Sequence, residues 1–290
     1  MGTNLMTGTV AGSNAVQKTR NRALIIPREH GAWGLLLVPL FSGAAVGLAA
    51  SPQPWPVLLL TLVALTLFWL RTPVESLLGT TPMSARTAAE RQYVFGVSLS
   101  LAVAAAACLA GLLWNGHNQE LFLIGGIAGL AFVVQTLLIK LGRRLRMTAQ
   151  LIGALGLTCT APAAYYVATG RLDNIAFALW AANWIFAGNQ IHFVQLRIHA
   201  CRAVSFREKW AHGLWFLVAQ VLLVPLLAMA SAWKLAPPLL IFAFLPALAR
   251  GFYWFFSGAQ PLHVRSLGWA EMRQGALFGV LLAAAFILAR

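Results

Sequence analysis

The stretch PREHGAWGLLLVPLFSG, residues 27–43, sets proline, arginine, glutamate and histidine against the mouth of an apolar run. Beyond His30, only the Trp33 indole and the Ser42 hydroxyl interrupt the hydrocarbon, and the run continues to Ala50. A helix rises about 1.5 Å per residue, so about 20 apolar residues cross a hydrocarbon layer of about 30 Å. Residues 31–50 supply that length. Glu29 and His30 then stand at the entrance of a membrane span, where unsatisfied backbone N–H groups and the helix dipole favour a carboxylate. Capping accounts for Glu29. It does not account for His30, which shares a helical face with Trp33 and Gly34 and is expected to point into a bundle.

The rest of the chain keeps the same character. Of its 290 residues, 60% are hydrophobic and 10% charged, with a mean hydropathy of +0.76. Soluble domains carry about 25% charged residues. A chain this poor in charge cannot coat a water-facing surface, so its solvent is lipid. The net charge of +14 would suit nucleic acid. Here, however, the basic residues fall in short clusters between apolar runs, as expected for loops facing anionic headgroups. The expected partner is therefore the lipid bilayer, with no nucleic acid. Cys108, Cys159 and Cys201 are far apart and form no CxxC, which excludes a disulfide framework and a metal box. Residues 1–22 are polar and end in Lys18, Arg20 and Arg22. They read as a disordered basic tail on the cytoplasmic side, ahead of a single transmembrane domain over 23–290.

Nine spans are expected: 31–50, 52–70, 93–114, 121–139, 149–169, 174–196, 213–232, 236–257 and 268–289. The last is interrupted by Glu271 and Arg273, which leaves eight spans with a re-entrant end as the alternative. With the amino terminus inside, alternate segments hold Lys18, Arg20, Arg22 and Arg28, then Arg71, Arg86 and Arg91. Lys140, Arg143, Arg144 and Arg146 follow, then Arg197, Arg202, Arg207 and Lys209, and finally Arg265. The opposite segments hold only Arg171, Lys234 and Arg290. Positively charged loops stay in the cytoplasm. The predicted fold is thus an all-α polytopic bundle of about nine spans, amino terminus cytoplasmic and carboxyl terminus outside. The longest inner loops, 71–92 and 197–212, lie where aqueous chemistry is expected. GGIAG at 125–129 contains a GxxxG, and Gly153 and Gly156 follow in the next span. Both sets predict close helix–helix approach.

Ionisable and amide side chains at membrane depth are costly and mark interior faces or wet cavities. Glu29, Glu75 and Glu271 stand at the inner ends of spans one, two and nine, each with a basic neighbour. Arg71 and Glu75 are one turn apart and can pair if the helix continues past Leu70. Span six reads WAANWIFAGNQIHFVQLRIH, and His192, Gln195 and His199 recur on one face with Asn189 a turn earlier. Such a stripe belongs inside the bundle, either as interhelical hydrogen bonds or as the wall of a polar pocket. Histidines seven apart do not chelate one ion, so no metal site is expected. Glu29, His30, Arg71, Glu75, Asn189, His192, Gln195 and Glu271 are the candidates for one pocket open to the cytoplasm. No cofactor follows from these residues.

PREHGAWGLLLVPL, RTPVESLLG at 71–79 and RSLGWAEM at 265–272 resemble the YwiC-like family of bacterial multi-pass membrane proteins. The resemblance implies a bacterial cytoplasmic-membrane protein and brings no assigned reaction. The layout is also similar to UbiA-type membrane prenyltransferases, whose aspartate-rich motifs hold Mg²⁺ and an isoprenoid diphosphate. At the corresponding places this chain has Glu75 alone and GNQIHFVQLRIHACR, which contains no acid. Three classes of function remain: an enzyme acting on a lipophilic prenyl or quinone-type molecule, a small-solute transporter, and a scaffold.

Overall fold

The computed structural model describes residues 19–26, 30–80, 84–114, 116, 119–201, 203, 205–258 and 262–290. Among them all regular structure is helical. A short helical segment over 19–25 precedes α1 (His30–Ala50), α2 (Pro54–Leu78), α3 (Ala88–Trp114) and α4 (Gln119–Leu141). A 3₁₀ turn at Arg143–Leu145 leads to α5 (Arg146–Thr158) and α6 (Thr160–Thr169). Then come α7 (Asn174–His199), α8 (Phe206–Ala232), α9 (Leu240–Phe256) and α10 (Val264–Leu288).

The nine expected spans map one to one onto these helices, α5 and α6 together forming the fifth. Seven of the nine are long and apolar enough to cross a membrane. The other two are α7, which is long but carries the polar stripe, and α9, apolar but only 17 residues long. Span five breaks at Cys159 because Pro162 cannot donate to the Thr158 carbonyl, and its ring would collide there. Starting a new helix places Pro162 in a first turn, where the missing N–H costs nothing. Span nine runs unbroken through Glu271 and Arg273, so the re-entrant alternative is not adopted.

The two long inner loops are mostly helix. α2 continues eight residues past Leu70, α3 begins before residue 93, and α8 begins before residue 213. Between α2 and α3 the chain turns at Gly79, whose φ of +69° suits a residue without Cβ. The Thr80 N–H then returns to the Glu75 carbonyl at 3.1 Å. Residues 19–22, expected to belong to a disordered tail, are instead helical within 19–25, and residues 1–18 lie outside the described residues.

The chain divides into two compact units, residues 1–29 with 61–111, and residues 30–60 with 112–290. In the first unit Leu24, Ala85 and Val94 form a small core, and the Trp69 indole donates to the Ile25 carbonyl at 3.0 Å. Thr87 and Glu90 make a capping box at the start of α3. The Glu90 N–H donates to Thr87 Oγ1 at 3.1 Å, and Glu90 Oε2 accepts from the N–H groups of Thr87 and Arg86. The buried Glu90 carboxylate also pairs with Arg20, and that hydrogen bond raises the Arg20 guanidinium above its ordinary value. A basic residue of the supposed tail is thus fixed in place.

In the second unit α1 is clasped from two sides. Its Gly43 and Gly47 meet Ala161, Ala164, Tyr165 and Ala168 of α6. Its Val38 lies against Gly279 of α10, where an added Cβ would come within 2.9 Å. Small residues let backbones approach where water drives no association. Beside this seam Phe186 of α7 stacks on Phe278 of α10 with ring centres 3.8 Å apart and nearly parallel. Phe244 of α9 meets Phe278 edge-on at 5.1 Å. Such pairs contribute roughly 1 kcal/mol beyond their buried area. They join the middle of α7 and of α10 to the first turns of α9.

The GxxxG expectation needs correcting. Gly125 and Gly129 meet no described atom within 4 Å, whereas Gly156 of α5 packs on Ala128 and Ala131 of the same helix, α4. α4 approaches α5 through its alanine face rather than its glycine face.

Candidate functional site

α7 positions most of the polar side chains of the second unit. Asp173 starts it by accepting from the N–H groups of Ile175 and Ala176, and the Tyr165 hydroxyl holds the carboxylate at 3.1 Å. Along α7 the amides then turn to different neighbours. Asn183, 2% exposed, donates to Ser42 Oγ of α1 at 3.1 Å and to its own Leu179 carbonyl. Gln190 donates to the Glu271 carbonyl of α10 at 2.9 Å, and Gln195 to Gln150 Oε1 of α5 at 3.1 Å. His199, exposed at the helix end, lies 2.7 Å from the Gln195 carbonyl. Much of the polar pattern is therefore interhelical hydrogen bonding, worth roughly 1 kcal/mol per bond.

Asn189 and His192 do something else. They line a cavity of about 200 Å³ between α7 and α8, together with Gly188, Phe216 and Gln220 and with Ile185, Leu222, Leu223 and Leu226. The His192 ring meets Phe216 edge-on at 5.2 Å. Gln220 is 1% exposed, yet neither its Oε1 nor its Nε2 has a hydrogen-bond partner among the described residues, and Asn189 Oδ1 has none either. Buried amide groups left unpaired cost 1–3 kcal/mol each by general measure, about one good hydrogen bond or more.

A second cavity, of about 300 Å³, lies where α7 and α9 finish and α10 begins. Arg197, Arg250, His263, Ser266 and Glu271 supply its polar wall, and Phe193, Tyr253, Trp254 and Leu267 its apolar one. Arg250 forms an ion pair with Glu271 through Nη1, and its guanidinium centre stands 4.1 Å over the Phe193 ring. Close by, the buried Lys209 of α8 donates to the carbonyls of Trp254, Ser257 and Gly258. It caps the carboxyl end of α9, where a cation complements the exposed carbonyls and the helix dipole.

Of the eight residues expected to share one pocket, Asn189 and His192 lie together. Gln195 is turned to α5, and Glu271 belongs to the arginine-lined cavity. Arg71 and Glu75 form the anticipated i, i+4 pair at 2.7 Å, within the first unit. Glu29 and the side chain of His30 lie outside the described residues. Sequence reasoning missed Arg250, Gln220 and Lys209. Arg250 had a readable signal, as one of two basic residues inside a span. Gln220 was readable as the only amide in an apolar run, VAQVLLV. Lys209 was not, because an inner-loop lysine looks like any other until its partners are known. Among the described residues no three His, Cys, Asp or Glu side chains gather into a metal-binding group.

These features define a multi-pass helical membrane protein whose larger unit holds both of these cavities. The profile of the family described as YwiC-like protein matches residues 26–165. The resemblance read from the sequence therefore holds, and the chain carries a YwiC-like segment over those residues. That segment includes all of PREHGAW and all of RTPVESLLG, while RSLGWAEM and both cavities, on α7 to α10, lie beyond it. No curated protein matches the sequence.

Proposed function

We propose that this is a bacterial cytoplasmic-membrane protein, amino terminus inside and carboxyl terminus outside, that binds a neutral lipophilic molecule of prenyl or quinone type between α7 and α8. The observation that carries this reading is the set of three buried amide atoms without partners, on Asn189 and Gln220, at a cavity with otherwise largely hydrocarbon walls. A ligand carbonyl could accept from Gln220 Nε2, and a ligand hydroxyl could donate to Gln220 Oε1 or Asn189 Oδ1. Isoleucine and leucine side chains suit a prenyl or ring body. Among the described residues no acidic or basic side chain other than His192 lines the cavity, which favours a neutral ligand.

Protein purified in a mild detergent, extracted with organic solvent and analysed by mass spectrometry should release such a molecule at close to one per chain. His192→Leu and Gln220→Leu should lose it, whereas Val194→Leu should keep it. Wild type that releases no neutral lipid, or both variants retaining it in full, would sink the reading. The orientation rests on the charge asymmetry. With Cys201 replaced by serine, a cysteine at Ala88 should resist an impermeant thiol reagent in intact cells, and one at Asn118 should react. Equal rates would reverse that part of the reading.

A further inference from the structure

Two helix interruptions meet in the middle of the larger unit. Pro39, midway along α1, has no N–H for the Leu35 carbonyl. Pro162 likewise has none for the Thr158 carbonyl, where α5 ends and α6 is about to begin. The Thr160 hydroxyl joins the two places by donating to the Leu36 carbonyl at 3.2 Å. Leu35, Pro39 and Thr158 line a cavity of about 10 Å³ together with Asn183 and Gln190 of α7, with room for one small ion or one water. Thr158 is fully buried and Asn183 is 2% exposed. The side-chain donors of these residues are turned to other partners. Asn183 Nδ2 donates to Ser42 Oγ and the Leu179 carbonyl, and Gln190 Nε2 to the Glu271 carbonyl. The Thr158 hydroxyl donates to the Leu155 carbonyl at 3.1 Å. Asn183 Oδ1 and Gln190 Oε1 accept no hydrogen bond among the described residues.

From this arrangement we infer that the cavity between α1, α5 and α7 binds a sodium ion, held by the carbonyls of Leu35 and Thr158 and the side-chain oxygens of Asn183 and Gln190. Oxygens that outnumber the available donors suit a bare cation. A water molecule has two protons, so it can satisfy only two of these acceptors, and its own lone pairs then lack donors. One cation satisfies all of them. Thr158 also closes α5, whose last carbonyls carry the negative end of the helix dipole. The shell has no carboxylate, which favours a single positive charge over two, and a space the size of one water favours sodium over the larger potassium. Helices interrupted at the midplane, with carbonyls freed for sodium, are sites at which membrane proteins couple an ion gradient to another solute. The site shares no lining residue with the α7–α8 cavity, so either can fail without the other.

The test uses the full chain in dodecyl maltoside and three probes at equal ionic strength, sodium, potassium and choline chloride. Sodium at a tenfold excess over its Kd should raise the unfolding temperature by roughly 3 °C above its value in choline. Potassium should give a clearly smaller shift. Asn183→Ala should abolish the sodium shift. Pro39→Ala returns an N–H to the Leu35 carbonyl and should weaken sodium binding about tenfold, the scale of one polar contact to a charged group. Gln190→Glu places a carboxylate in the shell and should tighten binding about tenfold, a gain that damage to the fold does not produce. If Asn183→Ala or Pro39→Ala fails to fold, the tightening expected of Gln190→Glu still decides the matter. Equal unfolding temperatures in the three salts would assign the cavity to water and overturn the inference. Potassium acting as strongly as sodium, or a sodium shift unchanged across the three variants, would overturn it as well.

Discussion

Two helices of the larger unit, α1 and α4, use glycines four residues apart in opposite ways. On α1, Gly43 and Gly47 are pressed against α6. A methyl group at Gly43 would meet the Ala161 backbone, with its carbonyl carbon at 2.8 Å and its Cα at 2.9 Å. On α4, Gly125 and Gly129 have no described atom within 4 Å. The spacing is the same, and α4 has the more conspicuous small-residue cluster. What differs is the partner. α6 is TAPAAYYVAT, a short helix whose alanines recur at 161, 164 and 168, so a glycine face finds a complementary one. A small-residue pair permits close approach without supplying the helix that comes close.

The largest expected effect tests this contrast directly. Gly43→Ala should destabilise the protein by about 3 kcal/mol, because backbone rather than a flexible side chain stands in the way. Reversible unfolding in detergent micelles would measure it, and a loss below about 0.5 kcal/mol would mean the α1–α6 seam is looser than described. Next comes the hydrogen bond beside that seam. Asn183→Ala should cost about 1 kcal/mol, the usual value for an interhelical bond in a membrane protein. The Ser42 hydroxyl keeps its own bond to the Pro39 carbonyl at 3.1 Å, which limits the damage. A loss as large as that of Gly43→Ala would shift the weight of the seam from steric fit to polar bonding. The smallest effect belongs to α4. Gly129→Ala should be neutral or stabilising by up to about 1 kcal/mol, since alanine is the better helix former and the space is open. Clear destabilisation there would show that the glycine face of α4 packs after all.

Much of the fold was legible in the sequence because lipid imposes one rule on every span. Backbone groups must be paired internally, so an apolar run of sufficient length becomes a helix. The nine runs and the pairing of Arg71 with Glu75 both depend on length and on spacing along one helix. The loops were read less well. Helices continued into charged stretches such as 71–78 and 206–212, where leaving the hydrocarbon does not end a helix and capping residues do. Ser205 with Glu208 makes another capping box, and its S-x-x-E spacing was there to be read.

The candidate site was legible only in part. The polar stripe of α7 correctly marked a helix with protein around much of it. It did not say that Asn183, Gln190 and Gln195 would each find a partner on a different helix while Asn189 and His192 faced a cavity. Nor did it reveal Gln220, whose importance lies in the bonds it fails to make.

The sequence by itself determined the apolar spans, their rough limits and their lipid environment, because these follow from hydrophobic length and local hydrogen bonding. Only the tertiary structure decided which glycines touch, which amides are paired and which are left open. Those outcomes depend on the shape and donors of a second helix distant in the chain, and no spacing within one helix contains that information.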